Sequence, residues 1–391
     1  MRKWMLLAVT ALSLFGINRF FPVFPKDTPP LVQAYPDPAA VFPDKAETGR
    51  HPGANGGGVH EAQNRKAKHH EAQTSPPHPS ANAENKEGKQ DARLALFGLQ
   101  LGMSSRQVAA LHGQPVRVEP SGLGYDWWIY NRNPERYLQV GIAQDRVVDL
   151  YSNAPTATIG QTGIGSSLKS LKSRHDVSSI VSFSYMGANI QITNQLEQRP
   201  LVLQDGTPLI FYLDKENGNK VTALRMIDTL MLLRGGFYHT KWTYQGKAPD
   251  FDPPPLGPKE REQVNAAWER QIFDLANVIR YRYKLPLLAW HEDAAEVARK
   301  HSRDMAEHNF FDHVSATSGL DPFQRLKQAN IHYIMAGENI AAGFPDAIEA
   351  HEGWMNSPGH RKNVLENGFA HLGVGVYGEY YTQAFLTAAP R

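Results

Sequence analysis

The 391 residues carry 41 Lys+Arg against 39 Asp+Glu, a net charge of +2, with 41% hydrophobic and 20% charged residues. That length predicts two or three domains, the composition excludes a wholly disordered or collagen-like chain, and the small net charge excludes capture of the whole molecule by a polyanion. No cysteine is present, so disulfides, thiolate metal sites and cysteine nucleophiles are excluded, and any metal must be held by His, Asp or Glu.

At the N-terminus, Arg2 and Lys3 precede an apolar run from Trp4 to Ile17, interrupted by Asn18 and Arg19. A positive start followed by an apolar stretch too short for an ordinary membrane span reads as an export signal over 1–24, either cleaved or retained as an anchor. Membrane contact is expected only through this segment. Residues 25–92 hold ten of the 27 prolines, the Gly56–Gly58 run and five histidines (His51, His60, His69, His70, His78), with few large apolar residues. Such a stretch cannot bury enough surface to offset its chain entropy and reads as a disordered spacer.

Residues 93–250 read as an α+β domain. Ser104 offers a helix N-cap before Val108 and Leu111, and the strand-like runs Tyr125–Tyr130, Tyr137–Ile142 and Val147–Tyr151 follow as a meander. Gly165-Ser166-Ser167 then opens a second short helix, followed by strand candidates at Ile180–Tyr185, Ile190–Thr193, Leu209–Leu213 and Val221–Ile227. The recurrence about 63 residues on predicts two related halves. Trp127, Trp128 and Tyr130 are expected to fill a core and a sheet surface. The proline-rich stretch 251–261 is a stiff connector.

In the last segment, 262–391, Val264, Trp268, Ile272, Leu275 and Ile279 recur at helical spacing. A second helix is expected from Asp293 to His308, and two closing strands around Leu372–Val376 and Tyr380–Phe385. Helices and strands mix without a regular βαβ rhythm, which predicts an α/β/α sandwich with a small sheet. From residue 260 onward 13 basic residues meet 17 acidic ones, so no nucleic acid is expected as a partner.

Six ordered motifs carry a resemblance: Asn277-Val-Ile-Arg280, His308-Asn-Phe-Phe-Asp-His313, Gly337-Glu-Asn-Ile340, Trp354-Met-Asn-Ser-Pro-Gly-His-Arg361, Gly373-Val-Gly-Val376 and Tyr381-Thr-Gln-Ala-Phe385. Together they resemble the bacterial branch of the CAP superfamily, the SCP/PR1-like domains, over a third of the chain. The middle region resembles the CAP-associated N-terminal domain through its Gly-Gln-Pro, Trp-Trp-Ile-Tyr and Val-Gly-Ile segments. The resemblance implies an α-β-α sandwich with a central cleft to which His313, Glu338 and His360 contribute. Where many relatives place a further glutamate this chain has Ser357, and Glu349, His351 and Glu352 on the preceding helix are candidates to replace it.

Two imidazoles and a carboxylate can hold zinc or another divalent metal, which makes His313, His360 and Glu338 the candidate ligands. No compact His-Glu-x-x-His helix supports this, and neither Ser315 nor Ser357 sits in a Gly-x-Ser-x-Gly turn. His301 and His308 are expected in the core or rim of their helix. The sequence therefore points to an exported envelope- or spore-associated binding module, with catalysis not expected. Its expected partner is an envelope or spore-coat component or a small apolar ligand. The alternative is a metal-assisted or serine hydrolase acting on envelope peptides or glycans.

Overall fold

The computed structural model describes residues 58–61 and 94–390. The expected export segment and most of the expected spacer lie outside the described residues. Within the spacer, Gly58–Glu61 forms strand β1.

Serine caps set up the middle domain. Ser104 accepts from the Gln107 backbone and Gln107 answers in a capping box, so α1 (Ser105–His112) starts there and stops at Gly113. Strands β2 (Arg117–Pro120), β3 (Asp126–Tyr130), β4 (Leu138–Ala143) and β5 (Arg146–Ser152) form the meander. After a small ribbon, β6 (Thr158–Ile159) and β7 (Thr162–Gly163), Ser167 caps α2 (Leu168–Arg174). There follow β8 (Ile180–Tyr185), β9 (Ala188–Thr193), β10 (Leu201–Gln204), β11 (Thr207–Asp214), β12 (Lys220–Ile227), α3 (Thr229–Arg234) and β13 (Thr240–Tyr244). Gln144-Asp145, Met186-Gly187 and Asp205-Gly206 all have positive φ, the geometry that closes two-residue hairpins without splaying the strands.

The main sheet has the order β10-β11-β12-β5-β4-β3-β2, and a second sheet runs β1-β13-β9-β8. The two related halves meet at the centre of the main sheet, where β5 lies antiparallel to β12. In the first half Gly102 N–H donates to the Val147 carbonyl and Val147 N–H to that of Met103. In the second, Gly165 pairs with Val221 and Val221 with Ser166 in the same way. Each helix-opening turn is thus pinned to the start of its half's last strand.

The C-terminal domain begins with α4 (Pro258–Arg282), then β14 (Ala289–Trp290), α5 (Glu292–Glu307), α6 (Pro322–Gln328), β15 (Tyr333–Ala342), α7 (Ala347–Met355), α8 (Pro358–Leu365), β16 (His371–Tyr377) and β17 (Tyr380–Ala388). Its sheet runs β14-β16-β17-β15, leaving β15 at an edge. Alternation along β16 separates the two faces: Leu372, Val374 and Val376 pack with α4, α7 and α8, whereas Gly373 and Gly375 face α5. A Cβ on either glycine would stand 2.2 or 2.0 Å from the α5 backbone, so these positions let the helix lie directly on the sheet. α5 and α6 bury Ala294, Val297, Ala298 and Leu326 against Ala336, Ala384 and Leu386 on that face. The result is the three-layer α/β/α sandwich.

α4 is buried on more than the face its apolar periodicity marks. Leu275 and Val278, with Ile348 of α7, belong to the core of the middle domain. Polar links flank this shared core. Arg117 donates to Asp274 at 2.6 Å, Gln271 to Glu119 at 3.0 Å, and Arg361 to Asp214 at 3.0 Å. Fully buried Arg225 bridges Asp149 at 2.7 Å and Asp346 at 3.0 Å. The domains are joined by a continuous interior as well as by the connector.

Candidate functional site

β15 carries Glu338 at the sheet edge and is packed by both α6 and α8. Glu338 shares its alternation with Ala336, which packs in the α5–α6 core, so its carboxylate turns to that side. There its Oε1 lies 2.8 Å from His313 Nδ1, and its Oε2 accepts from Arg325 at 2.6 Å. Arg325 also donates to the His313 carbonyl at 2.7 Å and the Leu320 carbonyl at 2.9 Å, tying the 313–320 loop to α6.

The group is closed to solvent: His313, Glu338, Ser357 and His360 are all buried. Burial pushes the Glu338 carboxyl up, but the Arg325 charge and the His313 hydrogen bond outweigh it and hold the group near about 2. His360 enters from the first turn of α8. Its Nδ1 lies 2.7 Å from the Oγ of Ser357, the residue preceding that helix. Burial first, then the neighbouring His313, lower the imidazole to about 3. His360 Nε2 is buried with no hydrogen-bond partner among the described residues.

The structure therefore brings His313 to Glu338 and Ser357 to His360, with the two pairs close enough for the histidines to interact. His351 is placed elsewhere. It is buried on α7, and the charge that acts on it is that of Arg282, whose guanidinium bonds the Thr222 and Asn153 carbonyls of the middle domain. Glu349 and Glu352 likewise face the middle domain, bonding Tyr212 at 2.6 Å and Tyr151 at 3.0 Å. None of the three replaces the missing cleft glutamate: the helix turns that row toward the domain interface.

Within the set His313, Glu338 and His360, the Glu338 carboxylate is not free to hold a divalent metal. Both Glu338 oxygens are engaged, and a guanidinium sits 2.6 Å from the carboxylate, where it would repel a second cation. Among the described residues no three His, Asp or Glu side chains are grouped to hold an ion. The Ser357–His360 contact has the reach of a nucleophile–base pair, yet among the described residues no acid orients the far nitrogen of His360. Ser315 donates to the Asp304 carboxylate at 2.6 Å rather than to a histidine.

Sequence reasoning missed Arg325. Asp321 caps α6 in a box with Gln324, and Arg325 falls with Lys327 in the last turn of this short helix, where the dipole favours a cation. A basic residue there is ordinary, so the sequence carries no signal that it reaches Glu338. His301, expected in the core or rim, is buried beside the cluster, with Nε2 2.9 Å from the Asp312 carbonyl. Next to it a cavity of about 550 Å³ opens between α5, the 315–320 loop and α6, with His301 and Arg325 in its wall.

Comparison with known proteins adds the following. Residues 101–238 match the CAP-associated N-terminal family and residues 273–388 the cysteine-rich secretory protein family. The chain is 34% identical over 289 residues to the uncharacterised membrane protein YlbC of Bacillus subtilis, covering 73% of this chain and 82% of that protein. It is 42% identical over 123 residues to YkwD of the same organism, of whose length it spans 48%. An extracellular SCP-domain protein from Bacillus anthracis has a solved structure that is 32% identical, with a TM-score of 0.69, covering 78% of this chain and 99% of that one. A cysteine-rich secretory protein from Staphylococcus aureus, 19% identical, shares the fold at a TM-score of 0.62 over 73% of this chain and 91% of its own.

Proposed function

The chain belongs to the cysteine-rich secretory protein family, with the CAP-associated N-terminal domain in front, and from that premise we propose that it is an exported binding module of the cell envelope without catalytic turnover. The observation that carries this reading is the state of the polar cluster. Glu338 is ionised, buried and saturated by His313 and Arg325. A general base must reach its substrate and change protonation near the working pH. Glu338, held near about 2, and His360, near about 3, do neither. The cluster instead fixes the loop and helix that wall the adjacent cavity.

Export is supported by the signal-like N-terminus and by the extracellular description of the Bacillus anthracis relative. Retention by that N-terminal segment is supported by the description of YlbC as a membrane protein. Among the described residues no helix is long and apolar enough to cross a membrane. The test is to mix the purified chain with isolated Bacillus subtilis cell walls, measuring sedimented protein and released soluble fragments. Saturable binding with no fragment release is expected. Release that disappears in His360→Ala would overturn the proposal in favour of a hydrolase built on Ser357 and His360.

A further inference from the structure

The second sheet of the middle domain is finished by a strand from outside that domain. Its order is β1-β13-β9-β8, so β13 would stand at the edge without β1, an open row of backbone donors and acceptors of the kind that recruits an extended chain. The occupant comes from the expected spacer. Gly58–Glu61 lies antiparallel on β13, with Gly58 opposite Tyr244, Val59 opposite Thr243, His60 opposite Trp242 and Glu61 opposite Lys241. The other side of β13 is paired with β9 over Thr240–Tyr244. This is strand addition by a segment of the same chain, and the register sets an acidic residue against a basic one at its end.

Such a pairing is finely balanced. β1 is four residues long and pairs along one edge only, so it gains few backbone hydrogen bonds while every residue in it gives up its freedom. The run Gly56–Gly58 leads into it, and glycine loses more freedom on ordering than any other residue. Release would leave the pairing of β13 with β9 in place but would change the length of chain in front of the domains. With β1 docked, the stretch between the expected N-terminal anchor and the first held point is 25–57. With β1 released it is 25–93, about twice the contour at ~3.3–3.6 Å per residue. We propose that Gly58–Glu61 is a releasable strap on the β13 edge, whose docking shortens the reach of the two domains from a membrane that holds the N-terminus. The strap stands on the pairing itself, and its effect on reach rests on the reading that the N-terminal segment retains the chain at the envelope.

Hydrogen exchange on the full chain tests the strap, comparing wild type with Val59→Pro/His60→Pro. Successive amides of a strand point to opposite sides, so removing two neighbours takes away one that faces β13. The β13 amides that face β1 are expected to be protected in wild type yet to exchange at least tenfold faster than those bonded to β9. In the variant they should speed up a further tenfold or more, with the β9-bonded amides unchanged. Equal rates in wild type and variant would remove the strap, and equal rates for both sets of β13 amides in wild type would make it permanent. Either result overturns the proposal. Protection that fades on dilution would assign the strand to a second copy and overturn it too.

Reach is read by energy transfer on vesicles of phosphatidylglycerol and phosphatidylethanolamine. The chain has no cysteine, so Lys362→Cys, at an exposed position of α8, is the single site for a thiol-reactive donor, with the acceptor on outer-leaflet lipid. Transfer is expected to fall at least twofold when the two prolines are added. Equal transfer overturns the effect on reach. A chain that does not stay on the vesicles overturns that effect together with the retention reading, while the exchange rates still decide the strap.

Discussion

Replacing Glu352 by Gln should make the protein more stable at pH 8 and leave it nearly unchanged at pH 5. Glu352 sits on α7 under the middle domain, 4% exposed, with Oε1 accepting from the Tyr151 hydroxyl at 3.0 Å and Oε2 without a partner among the described residues. Burial pushes its carboxyl from the ordinary 4.5 to about 7, against the lowering effects of the Tyr151 bond and the nearby Arg282 charge. Between those two values the folded state holds a proton that the unfolded chain has released, so stability falls as pH rises through this window. At about 1.4 kcal/mol per pH unit, the penalty above pH 7 amounts to roughly 3 kcal/mol. Glutamine keeps the acceptor for Tyr151 and removes the charge. Urea denaturation of wild type and Glu352→Gln at pH 5 and pH 8 measures the difference directly, because other titrating groups cancel between the two proteins. An equal difference at both pH values, or a less stable variant at pH 8, would refute the reasoning.

Arg225→Met leaves Asp149 and Asp346 buried without their cation and should cost about 3–5 kcal/mol in the same assay. Glu338→Gln should destabilise at neutral pH by about 1.5–3 kcal/mol through loss of charge-assisted bonds to Arg325 and His313. Because the folded carboxyl is depressed to about 2, the wild type's advantage is fully present above about 4.5. It shrinks as pH falls toward about 2, which an acid titration of both proteins by circular dichroism would follow. Gly375→Ala forces a Cβ to within 2.0 Å of the α5 backbone and should lower stability by about 1–3 kcal/mol or more, read as a drop in Tm.

Where local rules act alone, the structure was legible in the sequence. The strands expected at Ile180–Tyr185 and Val221–Ile227 appear within one residue at each end, because alternation and two-residue turns define them. The helix expected over Asp293–His308 forms as Glu292–Glu307, opened by His291, whose side chain accepts from Ala294 N–H. Short or unpatterned strands such as β2 and β10 escaped, since four residues at a sheet edge give no measurable period. The Gly58–Glu61 strand within the expected spacer was also missed: it gains its partner only from β13, nearly two hundred residues on.

At the site, the family motifs located His313, Glu338 and His360, but not what each one touches. His351 and Glu352 precede the site motif by a few residues and turn away from it, because one helical face lies on the sheet and the next under the middle domain. Linear spacing also hides how the Glu338 carboxylate is engaged. Arg325, 13 residues before Glu338, folds back onto the carboxylate and supplies the positive charge that an ion would have brought.

The most direct measurement of the central claim is the cell-wall assay, run with wild type and His360→Ala side by side. The account predicts saturable sedimentation of both proteins and no soluble fragments from either. Steady release of fragments by the wild type, lost in His360→Ala, would contradict it and make the buried Ser357–His360 pair the place where the chemistry begins.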